Sequence, residues 1–183
     1  VGCALGCKFC LTGKRGWVRD LEPSEMIDQV LAVRASLPRE KKLTNLVLMG
    51  MGEPLQNFQN VVRALEILRS PDGLQFSYRR VTLSTAGIIP EMKELCSRRN
   101  FVKLAVSLNA TTEEQRSKLM PINRKYPLKD LLSACHSIPL TSRERITFEY
   151  VLIRGVNDSE EDAHRLTRLL RGLRAKVNLI PFN

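Results

Sequence analysis

Three thiols fall within one short segment, Cys3-Ala-Leu-Gly-Cys7-Lys-Phe-Cys10. The C-x3-C-x2-C spacing gathers three sulfurs in a single loop. Three thiolates that close can hold three corners of an iron–sulfur cube, for which ligation by four cysteines is the norm. No fourth cysteine stands nearby, so a cube held here keeps one iron without a protein ligand. An open metal position is what catalysis requires. A zinc knuckle is the alternative. It needs a fourth ligand, and the two histidines, His136 and His164, lie far along the chain. The next group is Gly50-Met51-Gly52-Glu53-Pro54, directly after a short apolar run. Glycine lets backbone approach a ligand closely. A carboxylate beside it can accept charge-assisted hydrogen bonds from an ammonium group. An ordinary strand–helix turn uses the same residue types, and proximity to the cysteine loop is what favours a binding role.

Three further polar groups share one position: Ser84-Thr85, Ser107-Leu108-Asn109 and Asn183 each follow or close an apolar run. If those runs are parallel strands, these residues stand at the carboxyl ends, where α/β proteins place ligands. Hydroxyl and amide side chains suit ribose hydroxyls and carboxylates, although Ser and Asn are also common turn residues.

Those residues must be carried by an ordered core. The chain has 183 residues, 43% of them apolar and 26% charged, which predicts a folded chain of one domain, or two small ones, and excludes intrinsic disorder. No apolar run approaches the ~18 residues of a spanning helix, and the chain opens on no charged-then-apolar leader. Five cysteines, an odd number, argue against a secreted disulfide framework and for a reducing cytoplasm. Cys96 and Cys135 sit in amphipathic helical patterns and read as core. Lysine and arginine number 29 against 19 acids, a formal charge of +10, which points to a polyanionic partner, most simply nucleic acid. Lys8, Lys14, Arg15, Arg19, Arg124 and Lys125 are the candidates to meet phosphates. Arg165, Arg168, Arg171 and Arg174, at helical spacing, read as a solvated face. Trp17 suits either base stacking or a core position.

Apolar runs at 44–49, 80–85, 102–107, 146–153 and 176–181 have the near-continuous character of parallel strands covered on both faces. Helical patterns lie between them. Pro23 opens one through about residue 36, with Met26, Ile27, Val30, Leu31 and Val33 on its apolar side. Others centre on Val61 to Leu68, Met92 to Leu95 and Leu128 to Cys135. Ser159 and Asp162 form a capping box for a last helix carrying Leu166, Leu169, Leu170 and Leu173. Strand–helix alternation predicts a parallel α/β sheet. A complete eightfold barrel needs about 250 residues, so a partial barrel or an open sheet is expected, and the abrupt start and finish read as a piece of a longer protein.

The cysteine spacing, with an aromatic before the last sulfur, resembles the radical S-adenosylmethionine (SAM) superfamily. The segments VGCALGCKFCLTGKRGW, LVLMGMGEPLQN, RRVTLSTAGIIP, LAVSLNA, MPINRKYPL, FEYVLIRGVND and VNLIPFN together resemble the RlmN-type adenine-carbon-2 RNA methyltransferases over essentially the whole chain. That resemblance implies an α/β, partial (βα)6 TIM-like barrel. Residues 1–183 would be its radical SAM core, truncated at both ends, without the first strand, an N-terminal RNA-binding domain and a C-terminal segment. It implies a [4Fe-4S] cluster on Cys3, Cys7 and Cys10. It implies S-adenosyl-L-methionine contacts from Gly52, Glu53, Ser84, Ser107, Leu108, Asn109 and Asn183, with Phe9 near the adenine. Many members carry His where this chain has Asn109; Asn keeps a donor and an acceptor.

The implied activity is methylation of carbon 2 of an adenine in 23S rRNA and in tRNA. A 5′-deoxyadenosyl radical would act on a methyl group carried by a cysteine. That cysteine would follow Asn183, and a second one would precede Val1; neither Cys96 nor Cys135 matches their motifs. The 183 residues alone are therefore expected not to transfer methyl groups. Carbon 2 of adenine offers no lone pair for polar methylation, which suits radical addition, and the base must be exposed for reaction. Expected partners are 23S rRNA, tRNA and an electron donor such as flavodoxin or ferredoxin, for a monomer in the cytoplasm and away from membranes. A relative that methylates carbon 8 of the same adenine is the nearest rival. A non-catalytic zinc-dependent RNA-binding module is the rival from another class.

Overall fold

A computed structural model describes residues 1–98 and 101–182. Among them, five strands form one sheet in the order β1-β2-β3-β4-β5, every neighbouring pair parallel. The strands are β1 (Leu46–Leu48), β2 (Val81–Thr85), β3 (Lys103–Ser107), β4 (Ile146–Leu152) and β5 (Ala175–Pro181). The helices are α1 (Leu11–Arg15), α2 (Pro23–Ser36), α3 (Phe58–Arg69), α4 (Ile89–Ser97), α5 (Glu113–Leu119), α6 (Leu128–His136) and α7 (Glu160–Leu169). The result is the expected α/β architecture, a partial TIM-like barrel. No described helix is long and apolar enough to cross a membrane.

Strand parity separates the core from the site. Side chains alternate across a strand. Leu83 of β2, Leu104 and Val106 of β3, and Ile146 and Phe148 of β4 all point to the helix-covered face. Each such burial is worth about 1.5–3 kcal/mol relative to exposure. α3 and α6 supply the facing residues, among them Val61, Leu65, Leu131 and Cys135. The opposite parity holds Ser84, Ser107 and Glu149, which face the other way and toward one another.

Three expectations need correction. The helix from Pro23 to Ser36 forms, closed at its start by Glu22 and Glu25 in a capping box, but its apolar side is not buried as a stripe. Met26 packs against the core, whereas Leu31 is 43% and Val33 49% exposed. Burial of the strands on both faces holds for β2 and β3 but not for β1 and β5, whose residues are largely exposed because each is an edge of the described sheet. Of the two isolated cysteines, Cys135 is buried and Cys96 only half-buried. The capping box at Ser159 and Asp162 is present as read from sequence.

Candidate functional site

The cysteine segment is a closed loop. An antiparallel bridge between Gly2 and Trp17 ties its base, and the Cys3 amide donates to the Gly16 carbonyl at 3.0 Å. Gly2 has φ +81°, and a Cβ there would lie 2.1 Å from the Gly16 oxygen, so glycine is obligatory at this crossing. Between the ends, the Cys10 amide donates to the Cys7 carbonyl at 3.1 Å, and Cys10 then precedes the short helix α1. The loop docks on the rest of the protein through the Lys8 amide, which donates to the Leu119 carbonyl at 2.9 Å. Apolar contact completes the seat: Leu5, Cys7 and Phe9 pack against Ala86, Ala110, Leu119, Met120 and Ile122.

Seated there, the three thiols line one cavity of about 160 Å³ with Phe9, Gly52, Glu53, Ser84, Ser107 and Asn109. The polar members come from the carboxyl ends of successive parallel strands, the position expected for an α/β site. All three cysteines are free. Burial pushes the Cys7 thiol up to about 11, and its neighbours Cys3 and Cys10 push in the same direction while Arg116 opposes them. Cys3 is raised chiefly by burial, and the charges of Glu53 and Cys10 also raise it. The three sulfurs thus feel one another, and binding of a cation would relieve that repulsion and release protons. Three thiols on one loop are the donor type that ligates iron–sulfur clusters, so the residues present fit that group.

Gly52 and Glu53 do more than line the cavity. Gly52 has φ +140°, and a Cβ there would approach the Gly2 oxygen to 2.9 Å, so the glycine turn and the cysteine loop pack backbone to backbone. Glu53 is 7% exposed. Its Oε1 accepts from the Leu55 amide at 3.0 Å, starting the 3-10 turn Pro54–Asn57, and its Oε2 accepts from the Ala86 amide at 2.6 Å. Burial raises its pKa, against the pull of those two amides. The carboxylate therefore pins the end of β1 to the end of β2 while facing the cavity.

Asn109 adopts φ +58°, a left-handed conformation that Asn tolerates better than most residues. Its Oδ1 accepts from the Val151 amide at 2.8 Å, and its Nδ2 points to the Met120 sulfur at 3.4 Å. Leu108 stands between Ser107 and Asn109. Its side chain is fully buried in the helix-facing core. Its carbonyl accepts from Arg116 and its amide donates to the Glu149 carbonyl. Leu108 positions Ser107 and Asn109 without lining the cavity. Asn183 lies outside the described residues. Thr85 also lines the cavity; its hydroxyl bonds Glu53 and accepts from the Gly87 amide at 3.0 Å.

Two residues of the site escaped the sequence reading. Glu149 lines the cavity and accepts from Ser84 Oγ at 2.9 Å. The alternation of β4 carried the signal, since Ile146, Phe148 and Tyr150 are buried on one face and Glu149 must lie on the other. Arg116, within a hydrophilic stretch, is wholly buried. Lys8, Lys14, Arg15, Arg124 and Lys125 are exposed, whereas Arg19 is held by Glu25 at 2.6 Å. Trp17 is 55% exposed and donates to Asp20 at 3.1 Å, so it is no core residue. Arg168 pairs with Glu161 as a solvated helix face would, whereas Arg165 also pairs with the buried Asp162 at 2.6 Å and donates to Thr111 at 3.0 Å, so the solvated reading does not hold for it. A larger cavity of about 390 Å³ lies on the other side of β1, between α2 and α3, and is lined mainly by apolar side chains such as Met26, Val30 and Leu65. It gathers no comparable set of thiols, carboxylates and hydroxyls.

Comparison with known proteins gives a consistent result. Residues 1–167 match the model of the radical SAM superfamily. The chain is 59% identical over 183 residues to the dual-specificity RNA methyltransferase RlmN of Syntrophotalea carbinolica, covering all of this chain and 48% of that protein. It is also 59% identical to that of Geotalea uraniireducens, covering 52% of it. The chain thus spans about half the length of the curated relatives it matches. Among solved structures, a radical SAM methyltransferase from Sphaerobacter thermophilus superimposes with a TM-score of 0.95 at 49% identity, over all of this chain and 54% of that one. Streptococcus suis SuiB bound to S-adenosylmethionine shares the fold, with a TM-score of 0.70 at 14% identity, over all of this chain and 39% of that one.

Proposed function

The chain belongs to the radical SAM superfamily, and from that membership we propose that residues 1–183 form the core of an RlmN-type RNA methyltransferase that modifies carbon 2 of an adenine in 23S rRNA and in tRNA. The observation that carries the reading is the convergence of three free thiols with Glu53, Ser84, Ser107, Asn109 and Glu149 in one cavity at the strand ends. The similarity to proteins named RlmN supports the choice of substrate.

Cys3, Cys7 and Cys10 would hold a [4Fe-4S] cluster. When bound, the cluster supplies the electron that cleaves S-adenosylmethionine. Glu53 and the Gly52 backbone, which line the cavity, would meet the methionine ammonium and carboxylate. Ser84, Ser107 and Glu149 offer hydroxyl and carboxylate partners to the ribose, as their chemistry suits. Phe9 gives an apolar wall against which an adenine ring can lie. Asn183 would complete the set. Exposed Lys8, Lys14, Arg15, Arg124 and Lys125 would meet RNA phosphates. Cys96 and Cys135, on α4 and α6, do not line the cavity and have no part in the chemistry. We place the enzyme in the cytoplasm, with a small redox protein such as flavodoxin or ferredoxin as electron donor.

Two measurements test the reading. Anaerobic reconstitution of the protein with iron and sulfide should give a brown protein with about four irons; stoichiometric zinc in a colourless protein would remove the cluster and favour an RNA-binding module. Mass spectrometry of RNA modified by the full-length protein should show 2-methyladenosine, and a carbon-8 product would assign the chain to the other regiochemistry.

A further inference from the structure

Among the described residues, Arg116 is the one arginine that the fold buries completely. Its guanidinium donates to Leu108 O at 3.2 Å, Asn123 Oδ1 at 2.9 Å, Tyr126 O at 3.5 Å, Ala86 O at 2.7 Å and Ser107 O at 3.3 Å. Every acceptor is neutral. A buried charge satisfied by dipoles alone carries a desolvation cost that an apolar side chain of similar volume would not. The residue is thus poorly explained by stability.

Its surroundings supply the missing reason. Ala86 and Ser107 line the cavity that holds the three thiols. The same helix that carries Arg116, α5, ends on the Leu119 carbonyl that receives the Lys8 amide of the cysteine loop. The guanidinium bonds the carbonyl of Ala86, which belongs to the apolar cluster on which Leu5, Cys7 and Phe9 of the loop pack, so it lies beneath the seat of that loop. Burial lowers its pKa to about 10, and among charged neighbours Cys7 acts on it most strongly, ahead of Glu113 and Cys135. The group remains cationic at neutral pH. Glu113 is already engaged with the amides of Leu128 and Lys129 and with Asn123, and Cys135 belongs to the helix-facing core.

We propose that Arg116 is a fixed positive charge beneath the cysteine loop that eases one-electron reduction of the cluster held by Cys3, Cys7 and Cys10. The inference rests on the reading that this loop holds a [4Fe-4S] cluster. In the step concerned, a low-potential one-electron donor passes one electron to the 2+ cluster, giving the 1+ state, with no bond made or broken and no proton transferred. Reduction adds negative charge to the cube, and a cation held in a medium of low polarizability stabilises that charge far better than one in water. The carbonyl cage keeps the guanidinium from moving toward solvent or toward substrate, so Arg116 is a positioning residue that acts through the cluster.

The test uses the full chain, reconstituted anaerobically with iron and sulfide, and an equilibrium redox titration read by the electron paramagnetic resonance signal of the reduced cluster. Iron content is measured first; a wild-type protein that holds no [4Fe-4S] cluster would overturn the underlying reading and this proposal with it, whereas a failure confined to the redox ratio would overturn this proposal alone. At the solution potential that reduces half of the wild-type cluster, Arg116→Gln should lower the ratio of reduced to oxidised cluster about tenfold or more, the size expected for loss of one charge at an effective dielectric near 20. Arg116→Lys keeps the charge without the planar fork, so it should stay within about threefold of wild type on the same Coulomb argument, whatever it loses in stability. Should Arg116→Gln not fold, Arg116→Met, apolar and of similar volume, is the second neutral variant and should shift the ratio in the same direction. An unchanged ratio in a folded neutral variant, or an equal fall in the neutral and Lys variants, would overturn the proposal.

Discussion

Replacing Asn157 with alanine should cost about 2–4 kcal/mol of stability, the sum of three neutral hydrogen bonds at about 1 kcal/mol each with allowance for stranded partners. Asn157 is 1% exposed and all its side-chain polar atoms are engaged. Its Oδ1 accepts from the Ile153 amide at 2.7 Å, and its Nδ2 donates to Asn109 O at 2.9 Å and Val151 O at 2.8 Å. The side chain thereby fastens the loop after β4 to the left-handed residue that lines the cavity. A loss of that size takes a large share of the roughly 5–15 kcal/mol that holds a typical domain together. It should lower the melting temperature by roughly 5–15 °C for a chain of this length. Asn157→Asp sharpens the argument. Aspartate has nearly the same shape and keeps the acceptor for Ile153, but it turns a carboxylate oxygen toward two carbonyls. At pH 7 it should therefore be more destabilising than alanine. Urea unfolding of the three proteins, with constant slope, gives the comparison, and equilibrium dialysis with S-adenosylmethionine follows the effect on the site. A loss below about 0.5 kcal/mol for the alanine variant, the ordinary scatter of surface substitutions, or an aspartate variant milder than alanine, would refute the reasoning.

Glu53→Ala should weaken S-adenosylmethionine binding while leaving iron content largely intact, and because it strands the buried amides of Leu55 and Ala86 it should also lower stability by about 2–4 kcal/mol; unchanged affinity in dialysis would reject the binding role. Gly52→Ala should push the glycine turn off the Gly2 carbonyl, at a cost of about 1–3 kcal/mol for the strained backbone, and reduce iron incorporation, read from the absorbance of the reconstituted protein; full incorporation would show that the close approach is unimportant. Asp162 gives a pH dependence. Burial pushes its carboxyl up, but hydrogen bonds with Ser159, Thr111, Arg165 and Gln115 outweigh burial and hold it well below the usual 3.8. A depressed folded-state pKa contributes stability that is fully present above the unfolded value and is lost as pH falls through the folded one. Asp162→Asn should therefore lower the urea midpoint at pH 7, with the gap to wild type narrowing as pH is taken below 3.8; a gap that widens in acid would contradict the assignment.

The parts of this molecule that sequence revealed are those in which local pattern and tertiary role coincide. β2 and β3 show themselves as short apolar runs that the fold buries on both faces, and β4 because its apolar residues recur at every second position and the sheet buries that parity. α7 shows itself because Ser159 and Asp162 cap it within three residues. The cysteine loop shows itself because its three ligand atoms lie close along the chain. The hidden parts are those whose meaning depends on distant partners. Glu149 reads as an ordinary outward residue of an alternating strand until Ser84, which is 65 residues away, meets it. Arg116 stands in EEQRSKL, a stretch with the composition of a solvated surface, and only the ends of β2 and β3 turn it into a buried charge. The helix that carries it did leave one local sign, since Thr112 caps the Gln115 amide at 3.1 Å and Gln115 reaches back to the Thr111 amide at 2.9 Å. That sign marks where a helix starts, not which face is buried. α2 errs in the other direction, since its apolar residues are frequent enough to promise a buried stripe, yet Leu31 and Val33 remain exposed. Periodicity measures what a helix could bury, whereas burial itself depends on the surface it meets. A site assembled from strand ends inherits the same asymmetry: its cysteine loop is local and legible, and the buried charges around it come from elements the chain brings together only by folding.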